Sequence, residues 1–143
     1  MYTDMQIIEE FTMGGCWALA LELKARLPHL TVCTLIDPYW AGEDDPEVYD
    51  FMQWSHVVVF DKSTGMYYDA LGKHDPKDNF PDWEMFEWTE IYEIPDDELD
   101  DYFLYQKEDT INYPNYSTAE GAKMMEHGVA LATLDMLPLP DVA

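Results

Sequence analysis

The sequence predicts a single α+β domain, in which a helix bearing a cysteine packs against a small antiparallel sheet. Three observations point to this class: an Ala/Leu-rich run over residues 14–28, a hairpin pattern over 55–72, and a capping motif before an apolar run at the C-terminal end. The chain has 143 residues, the size of one ordinary domain, and 48% of them are hydrophobic, which suits a single buried core. We therefore expect one domain over residues 1–143, closed by a C-terminal helix.

The first predicted helix begins at Gly14-Gly15 and ends before Pro28. Ala and Leu dominate this run, and no glycine or proline interrupts it after its start, so its helix propensity is high. Its leucines recur every fourth residue, which places them on one face turned toward a core. These leucines are Leu19, Leu23 and Leu27.

Short elements surround this helix in the first half of the chain. Residues 1–13 are expected to form a short leading segment whose apolar side chains lie across the sheet. Residues 30–36 form a strand-like run that the following Asp-Pro pair stops. A proline at the first turn then predicts a short helix over residues 46–53.

The second half carries weaker patterns. Residues 73–81 are rich in turn residues and predict a polar connection, in which His74 is expected to be solvated. Alternating apolar and acidic residues predict a strand over 86–94, and acids at the positive end of a helix predict a helix over 96–106. The motif Ser-Thr-Ala-Glu at 117–120 is a capping box, so residues 121–134 are the predicted final helix.

The hairpin over residues 55–72 carries the first pair of candidate functional residues. A Val-Val-Val-Phe strand, a turn that ends in Gly65, and a returning Met-Tyr-Tyr strand define it. If Phe60 faces Gly65, then His56 stands directly opposite Asp69, with Cβ atoms roughly 4.5–5.5 Å apart on one face. A register shift by one residue would put the two side chains on opposite faces. The pairing predicts a hydrogen bond between imidazole and carboxylate.

A base oriented by an acid requires a group to act on, and Cys16 is the candidate. The two glycines place it in the first turn of the first predicted helix. Unpaired backbone N–H groups and the positive end of the helix dipole favour a thiolate there. The same N–H groups are suited to hold the oxyanion of a tetrahedral intermediate. The alternative is that Cys16 is simply a small packed side chain.

The cysteine at a helix start and the hairpin with a histidine and an aspartate resemble the papain-like and transglutaminase-like thiol hydrolase superfamily, including its NlpC-like members. The matching motifs are Gly-Gly-Cys16-Trp, Ser-His56-Val-Val-Val and Tyr-Tyr-Asp69-Ala-Leu-Gly, within the first half of the chain. They also resemble a loosely defined set of small bacterial and phage proteins with a Gly-x-Cys helix and a His-Val…Asp-Ala-x-Gly hairpin. The resemblance implies that Cys16 is the nucleophile, His56 the general base and acid, and Asp69 the group that orients the imidazole.

The chain departs from the papain pattern upstream of the cysteine. Papain-type enzymes carry a glutamine a few residues earlier as an oxyanion donor. Here Thr12 and Met13 occupy that region, and Gln6 lies ten residues back. The second oxyanion donor is therefore unassigned at the level of sequence.

Charge and composition limit the kinds of partner that the protein is expected to bind. Thirty acidic residues against seven basic ones give a formal net charge of −23, which disfavours direct binding to nucleic acid or to an anionic membrane. The start of the chain is polar and acidic, and no apolar run approaches the ~20 residues that span a bilayer, so we expect a cytoplasmic protein. If the protein is phage-encoded, this is the host cytoplasm. Cys33 lies in a strand-like run as a small buried side chain, and no metal or cofactor motif is present, so neither is expected.

Three functions remain open from the sequence. The first is thiol-dependent acyl chemistry on a peptide or protein amide: hydrolysis, deamidation or transfer by Cys16, His56 and Asp69. The second is a non-catalytic acidic inhibitor that blocks a basic protein by mimicking the charge of a nucleic acid. The third is a degenerate hydrolase fold that serves a structural role. The sequence does not indicate an oligomeric state.

Overall fold

A computed structural model describes residues 2–12, 15–36, 54–75, 90–108 and 116–134. Helices α1 (Asp4–Thr12) and α2 (Cys16–Arg26) come first, followed by strands β1 (Thr31–Ile36), β2 (Trp54–Asp61), β3 (Met66–Asp69), β4 (Gly72–His74) and β5 (Glu90–Glu93). A 3₁₀ turn (Asp96–Glu98) precedes helices α3 (Leu99–Tyr102), α4 (Leu104–Glu108) and α5 (Ala119–Ala132). The predicted α+β class is confirmed. The predicted helix over 46–53 and the first part of the predicted strand over 86–94 lie outside the described residues.

The strands form one sheet in the order β4-β3-β2-β1-β5, and the neighbouring strands run antiparallel. Consecutive strands β2, β3 and β4 are neighbours because short turns join them. The start of β2, the end of β3 and the start of β4 therefore lie at one edge of the sheet, and so does the end of β1. That edge holds the candidate site.

Helix α2 packs against the sheet through the leucine face that the sequence predicted. Leu19, Leu23 and Leu27 are all buried, at 2%, 1% and 7% exposure, and they join a core that includes Val57 and Val59 of β2. Side chains alternate along a strand, so Val58 turns to the other side. There it forms a smaller cluster with Cys33 and Leu35.

The N-terminal segment forms helix α1 and packs on other helices. Ile7 and Phe11, four residues apart, are both fully buried. The helix contacts α2 and α5, and the Phe11 ring lies against Gly128 of α5. A Cβ atom at position 128 would stand only 2.6 Å from Phe11 Cε2, so the absence of a side chain there allows the close approach. The sequence pattern had not predicted this helix.

The C-terminal part differs from prediction in two details. The predicted helix over 96–106 is broken at Phe103, which is fully buried between α3 and α4 and packs against Trp17 with ring centroids 6.4 Å apart. Burial of this aromatic ring outweighs the continuity of the helix. The cap of α5 is Thr118, whose hydroxyl accepts from the Gly121 N–H at 3.0 Å. In the predicted capping box, Ser117 would have had that role.

In the described ranges, no helix has both the length and the hydrophobicity needed to cross a membrane.

Candidate functional site

The hairpin of β2 and β3 has a register two residues away from the predicted one. Phe60 pairs with Tyr67, not with Gly65. If this register is extended, the position opposite His56 is Leu71, two residues beyond Asp69. Side chains alternate with period two, so a shift by two residues keeps His56 and Asp69 on the same face, as diagonal neighbours within reach of long side chains.

The contact between His56 and Asp69 is present despite the changed register. His56 Nε2 lies 2.8 Å from Asp69 Oδ2, and the two residues are only 4% and 3% exposed. A register irregularity in the β1–β2 pairing stands directly beside His56, because Leu35 pairs with His56 and Ile36 with Trp54. Such bulges re-aim side chains and are frequent next to functional sites.

Asp69 accepts three hydrogen bonds from N–H groups. Oδ2 accepts from His56, while Oδ1 accepts from the Leu71 backbone N–H at 2.8 Å and from His74 Nε2 at 2.7 Å. Burial raises the pKa of the Asp69 carboxyl, but the hydrogen bonds from His56 and His74 outweigh this and lower the pKa from 3.8 to about 2. The group is therefore a carboxylate with no proton of its own at neutral pH.

His74 is the site residue that the sequence analysis missed. The expectation that it is solvated is wrong: it ends β4, is 5% exposed, and contacts Asp69. Strand β4 is joined to β3 by the tight connection Ala70-Leu71, with Gly72 at φ 100°. Gly72 pairs with Asp69. His74 lies two residues further along β4, so it is the diagonal neighbour of Asp69 on the same face of the sheet. The useful signal was the glycine two residues before the histidine, which marks a second tight turn.

The carboxylate fixes the tautomer of His56. An ionised carboxylate only accepts, so the ring nitrogen that contacts it, Nε2, carries a hydrogen. Nδ1 is then the nitrogen left for another partner. Burial lowers the pKa of His56, but hydrogen bonds with Asp69 and Cys16 outweigh it, and the pKa is raised. An imidazole between a carboxylate and a thiol therefore stands at this edge of the sheet.

Cys16 is the first residue of α2 and is 3% exposed. Gly15 is the N-cap and makes no side-chain cap, so the first turn of α2 begins from bare backbone. The thiol of Cys16 lies close enough to the His56 ring to raise the pKa of that imidazole. The structure thus brings together the three residues that the sequence singled out: Cys16, His56 and Asp69.

A tyrosine and a glutamate hold the backbone just before Cys16. The Gly15 N–H donates to the Glu10 carbonyl oxygen at 2.9 Å, and the Tyr116 hydroxyl donates to the Glu10 carboxylate at 2.9 Å. The Tyr116 hydroxyl also lies where a side chain on Gly15 would be. Burial raises the pKa of Tyr116, as do the bond to Glu10 and the nearby Cys16. Gly15 is therefore required for space, and Tyr116 packs beside the nucleophile candidate.

Gln6 does not fill the papain-like position. Its side chain is exposed at the start of α1, where Oε1 accepts from the Thr3 backbone N–H at 2.9 Å. Cys33 is fully buried in the cluster with Leu35 and Val58, and burial raises its pKa from 9.0 to about 12. Within the part of the chain that the structure describes, no group of three or more His, Cys, Asp or Glu side chains is arranged to hold a metal ion.

This chain matches no protein-family model, no curated protein and no solved structure.

Proposed function

We propose that this protein is a cysteine-dependent acyl hydrolase or acyltransferase that acts on a peptide or side-chain amide, with a papain-like or NlpC-like arrangement of its site. The observation that carries the proposal is the continuous chain of contacts from Cys16 to His56 to Asp69, all three buried and on different elements. Nucleophile, base and orienting acid in hydrogen-bond contact are the geometric signature of covalent acyl transfer.

In the acylation step, His56 Nδ1 takes the proton of the Cys16 thiol, and the sulfur attacks the carbonyl carbon of the amide. The oxyanion that forms is stabilised by backbone N–H groups at the start of α2, where the helix dipole is positive. The carbon–nitrogen bond then breaks, and the protonated His56 gives its proton to the leaving amine. Asp69 keeps Nε2 protonated throughout, so that Nδ1 faces the sulfur.

In the second step, the thioester on Cys16 is released. His56 Nδ1 takes a proton from water, and the hydroxide attacks the thioester carbonyl. The carboxylic acid leaves, and the proton returns to the sulfur. An amine in place of water gives transfer, and a primary side-chain amide as the first substrate gives deamidation. The three outcomes share the same residues and differ in the acceptor and the leaving group.

The test uses p-nitrophenyl acetate, a small activated ester that requires no specific binding pocket. Attack by Cys16 releases one p-nitrophenolate and leaves one acetyl group on sulfur, which peptide mass spectrometry locates. We expect a burst of p-nitrophenolate equal to the protein concentration, with the acetyl group on Cys16. Cys16→Ala should lose the burst, and the matched variant Cys33→Ala should retain it.

An acetyl group divided between the two cysteines in the native protein would contradict the proposal, as would a burst that survives in Cys16→Ala. A natural partner would be found by capture from cell lysate. An enzyme is expected to retain a peptide or protein substrate in the Cys16→Ala form, because binding persists without turnover.

A second candidate function rests on the net charge of −23. Five acidic residues within six positions are exposed on the 3₁₀ turn and α3: Asp96, Asp97, Glu98, Asp100 and Asp101. A non-catalytic inhibitor, encoded for example by a phage, would use such carboxylates to occupy the nucleic-acid site of a basic protein. A degenerate hydrolase fold with a structural role is the third candidate. Neither requires a reactive thiol, so the acetylation test separates both from the enzyme.

A further inference from the structure

We propose that His74 is a positioning residue that clamps the Asp69 carboxylate, so that its Oδ2 atom is presented to His56. The proposal rests on the proposed function, because the clamp has a chemical role only if His56 acts on Cys16. It extends the three-residue site to a fourth residue on a third strand.

The geometry places the two imidazoles on opposite oxygens of one carboxylate. His56 contacts Oδ2 at 2.8 Å and His74 contacts Oδ1 at 2.7 Å. The side chains of all three residues are nearly inaccessible to solvent, at 5%, 4% and 2% exposure for His56, His74 and Asp69. In such surroundings a lost hydrogen bond is not replaced by water, so each bond counts more than it would at the surface.

The carboxylate needs this clamp because its own rotamer preference is weak. The torsion that turns the carboxyl plane of an aspartate is broad, so side-chain sterics do not fix it. Without His74, Oδ1 would keep only the Leu71 N–H as a donor among the residues that the structure describes. The plane would then be free to turn, and the bond from Oδ2 to His56 would lose its direction. A second imidazole on the far oxygen prevents this rotation.

The chain provides a matched control pair. His127 Nε2 also lies 2.7 Å from an aspartate oxygen, that of Asp4, where α5 meets α1. Here His127 is half-buried and Asp4 is exposed, with side-chain exposures of 30% and 72%, and the two side chains belong to helices α5 and α1, away from the strand ends that hold Asp69. A substitution at His127 removes the same kind of bond without touching Asp69.

The experiment replaces His74 by two residues of similar length. Gln carries an amide N–H that can still donate to Oδ1, whereas Met fills similar space and has no donor. Rates of Cys16 alkylation by iodoacetamide are measured by peptide mass spectrometry in wild type, His74→Gln, His74→Met, His127→Met and His56→Gln. Cys33 in the same samples reports on the fold, because it should stay unmodified while the protein is folded.

We expect Cys16 to react about tenfold more slowly in His74→Met. This is the lower end of what loss of the hydrogen-bond partner of a ligand costs at metal sites. His74→Gln should remain within about threefold of wild type, since it keeps the donor. His127→Met should match wild type. Rescue by Gln but not by Met is a result that a purely space-filling role for His74 would not give.

Three outcomes would overturn the proposal. If both His74 variants react like wild type while His56→Gln is slow, the proposed function stands and the clamp is wrong. If Cys16 is alkylated equally slowly in both His74 variants while Cys33 stays protected, then the hydrogen-bond donor at position 74 does not position Asp69. If Cys16 is no faster in wild type than in His56→Gln, the proposed function fails and the clamp fails with it.

A second measurement covers the case in which His74→Met does not fold. The ring nitrogens of the wild-type histidines are assigned by long-range ¹H–¹⁵N correlation spectroscopy. The proposal requires a hydrogen on His74 Nε2, slowly exchanging because the residue is buried, and a change in its resonance in Asp69→Asn. An unprotonated Nε2 on His74 would overturn the proposal without any variant at that position.

Discussion

The two cysteines of this chain are almost equally buried, yet their surroundings differ completely. Cys16 is 3% exposed and Cys33 is fully buried. Cys33 lies in β1 beside Leu35 and Val58, and its thiol donates a weak hydrogen bond to the Thr31 carbonyl oxygen at 3.7 Å. Cys16 begins a helix and meets an imidazole that a buried carboxylate orients.

Burial by itself leaves a cysteine unreactive, whereas a neighbouring base can make a buried cysteine a nucleophile. Burial raises the pKa of Cys33 to about 12, so this thiol stays protonated at pH 7. At Cys16 the sheet supplies His56 and Asp69, which can take up the proton and hold the resulting charge.

The largest effect is expected from Asp69→Asn. The amide can donate to His56 Nε2 and so stabilise the wrong tautomer, which costs ~10⁴-fold in the Ser-His-Asp enzymes. We expect acetylation of Cys16 by p-nitrophenyl acetate to fall by at least 100-fold on the same grounds. The rate at Cys33 should stay negligible.

Asp61→Asn is the matched control for that variant. Asp61 is also buried, at 5% exposure, but it accepts from Ser63 in the β2–β3 turn and has no contact with the site. An asparagine keeps one side-chain oxygen that can accept from Ser63, so this change should cost at most about 1 kcal/mol of stability and leave Cys16 chemistry unchanged. An equal loss of Cys16 acetylation in both variants would show that the effect comes from the fold, not from the orientation of His56.

The second effect concerns Gly15, which precedes Cys16. In Gly15→Ala, the new Cβ would overlap the Tyr116 hydroxyl, so the start of α2 or the tyrosine must move. Overpacking of this kind costs about 1–3 kcal/mol in the free energy of unfolding, measured by urea titration. Cys16 acetylation should fall as well, because the helix start shifts relative to His56.

Gly65→Ala provides the comparison for Gly15. Gly65 has φ +76° but nothing lies within 4 Å of a new Cβ, so only backbone strain of about 1–2 kcal/mol is expected. Its Cys16 reactivity should equal that of wild type. If Gly15→Ala were as reactive as Gly65→Ala, the position of the helix start would not matter for the thiol.

The third effect is acid destabilisation through Asp69. Its folded-state pKa of about 2 lies below the ordinary 3.8, so its carboxylate contributes stability that is present above pH 3.8 and lost as pH falls through about 2. The size is roughly 2 kcal/mol. Urea unfolding between pH 5 and 2 should therefore show a flatter pH dependence in Asp69→Asn than in wild type, whereas equal slopes would contradict the buried, ionised carboxylate.

Cys33 is expected to make the free energy of unfolding fall as pH rises, the opposite of the effect of Asp69. Its folded pKa is raised above the ordinary 9.0, so the stability it contributes is complete below pH 9 and is lost as pH rises toward 12. Cys33→Ala should unfold with a weaker pH dependence above pH 9.

The smallest effect is expected from neutralising surface acids. Replacing Asp96, Asp97, Asp100 and Asp101 by Asn removes exposed charges, whose pairs with Lys24 and Lys107 are each worth about 0–1 kcal/mol. Cys16 acetylation should change less than about twofold, since exposed charges beyond ~10 Å are largely screened at 0.1 M salt. Loss of a basic partner from lysate pull-downs in this variant alone would favour the inhibitor instead.

Much of the site could be predicted because its elements are local. The Ala/Leu run placed Cys16 at a helix start, and the Val-rich hairpin placed His56 and Asp69 on one face. The predicted register was wrong by two residues, since turn composition did not fix where the pairing of Phe60 begins. The prediction that His56 and Asp69 share a face was unaffected, because a register shift by an even number of residues keeps each side chain on its face.

The missed residues depend on long-range packing. His74 becomes buried only because β4 returns beside β3, and three residues of strand are too short to show a period in sequence. Tyr116 reaches Gly15 from far along the chain through the packing of α1 and α5, which no local pattern encodes. The break at Phe103 likewise follows from core packing, where burial overrides helix propensity.

The most direct test of the central claim is the alkylation rate of the two thiols in one folded sample. Iodoacetamide at neutral pH, followed by peptide mass spectrometry over time, should modify Cys16 at least 100-fold faster than Cys33, and the rate at Cys16 should drop in His56→Gln. Equal rates at the two thiols, or a Cys16 that reacts only once urea has unfolded the protein, would contradict the claim that His56 and Asp69 make Cys16 a nucleophile.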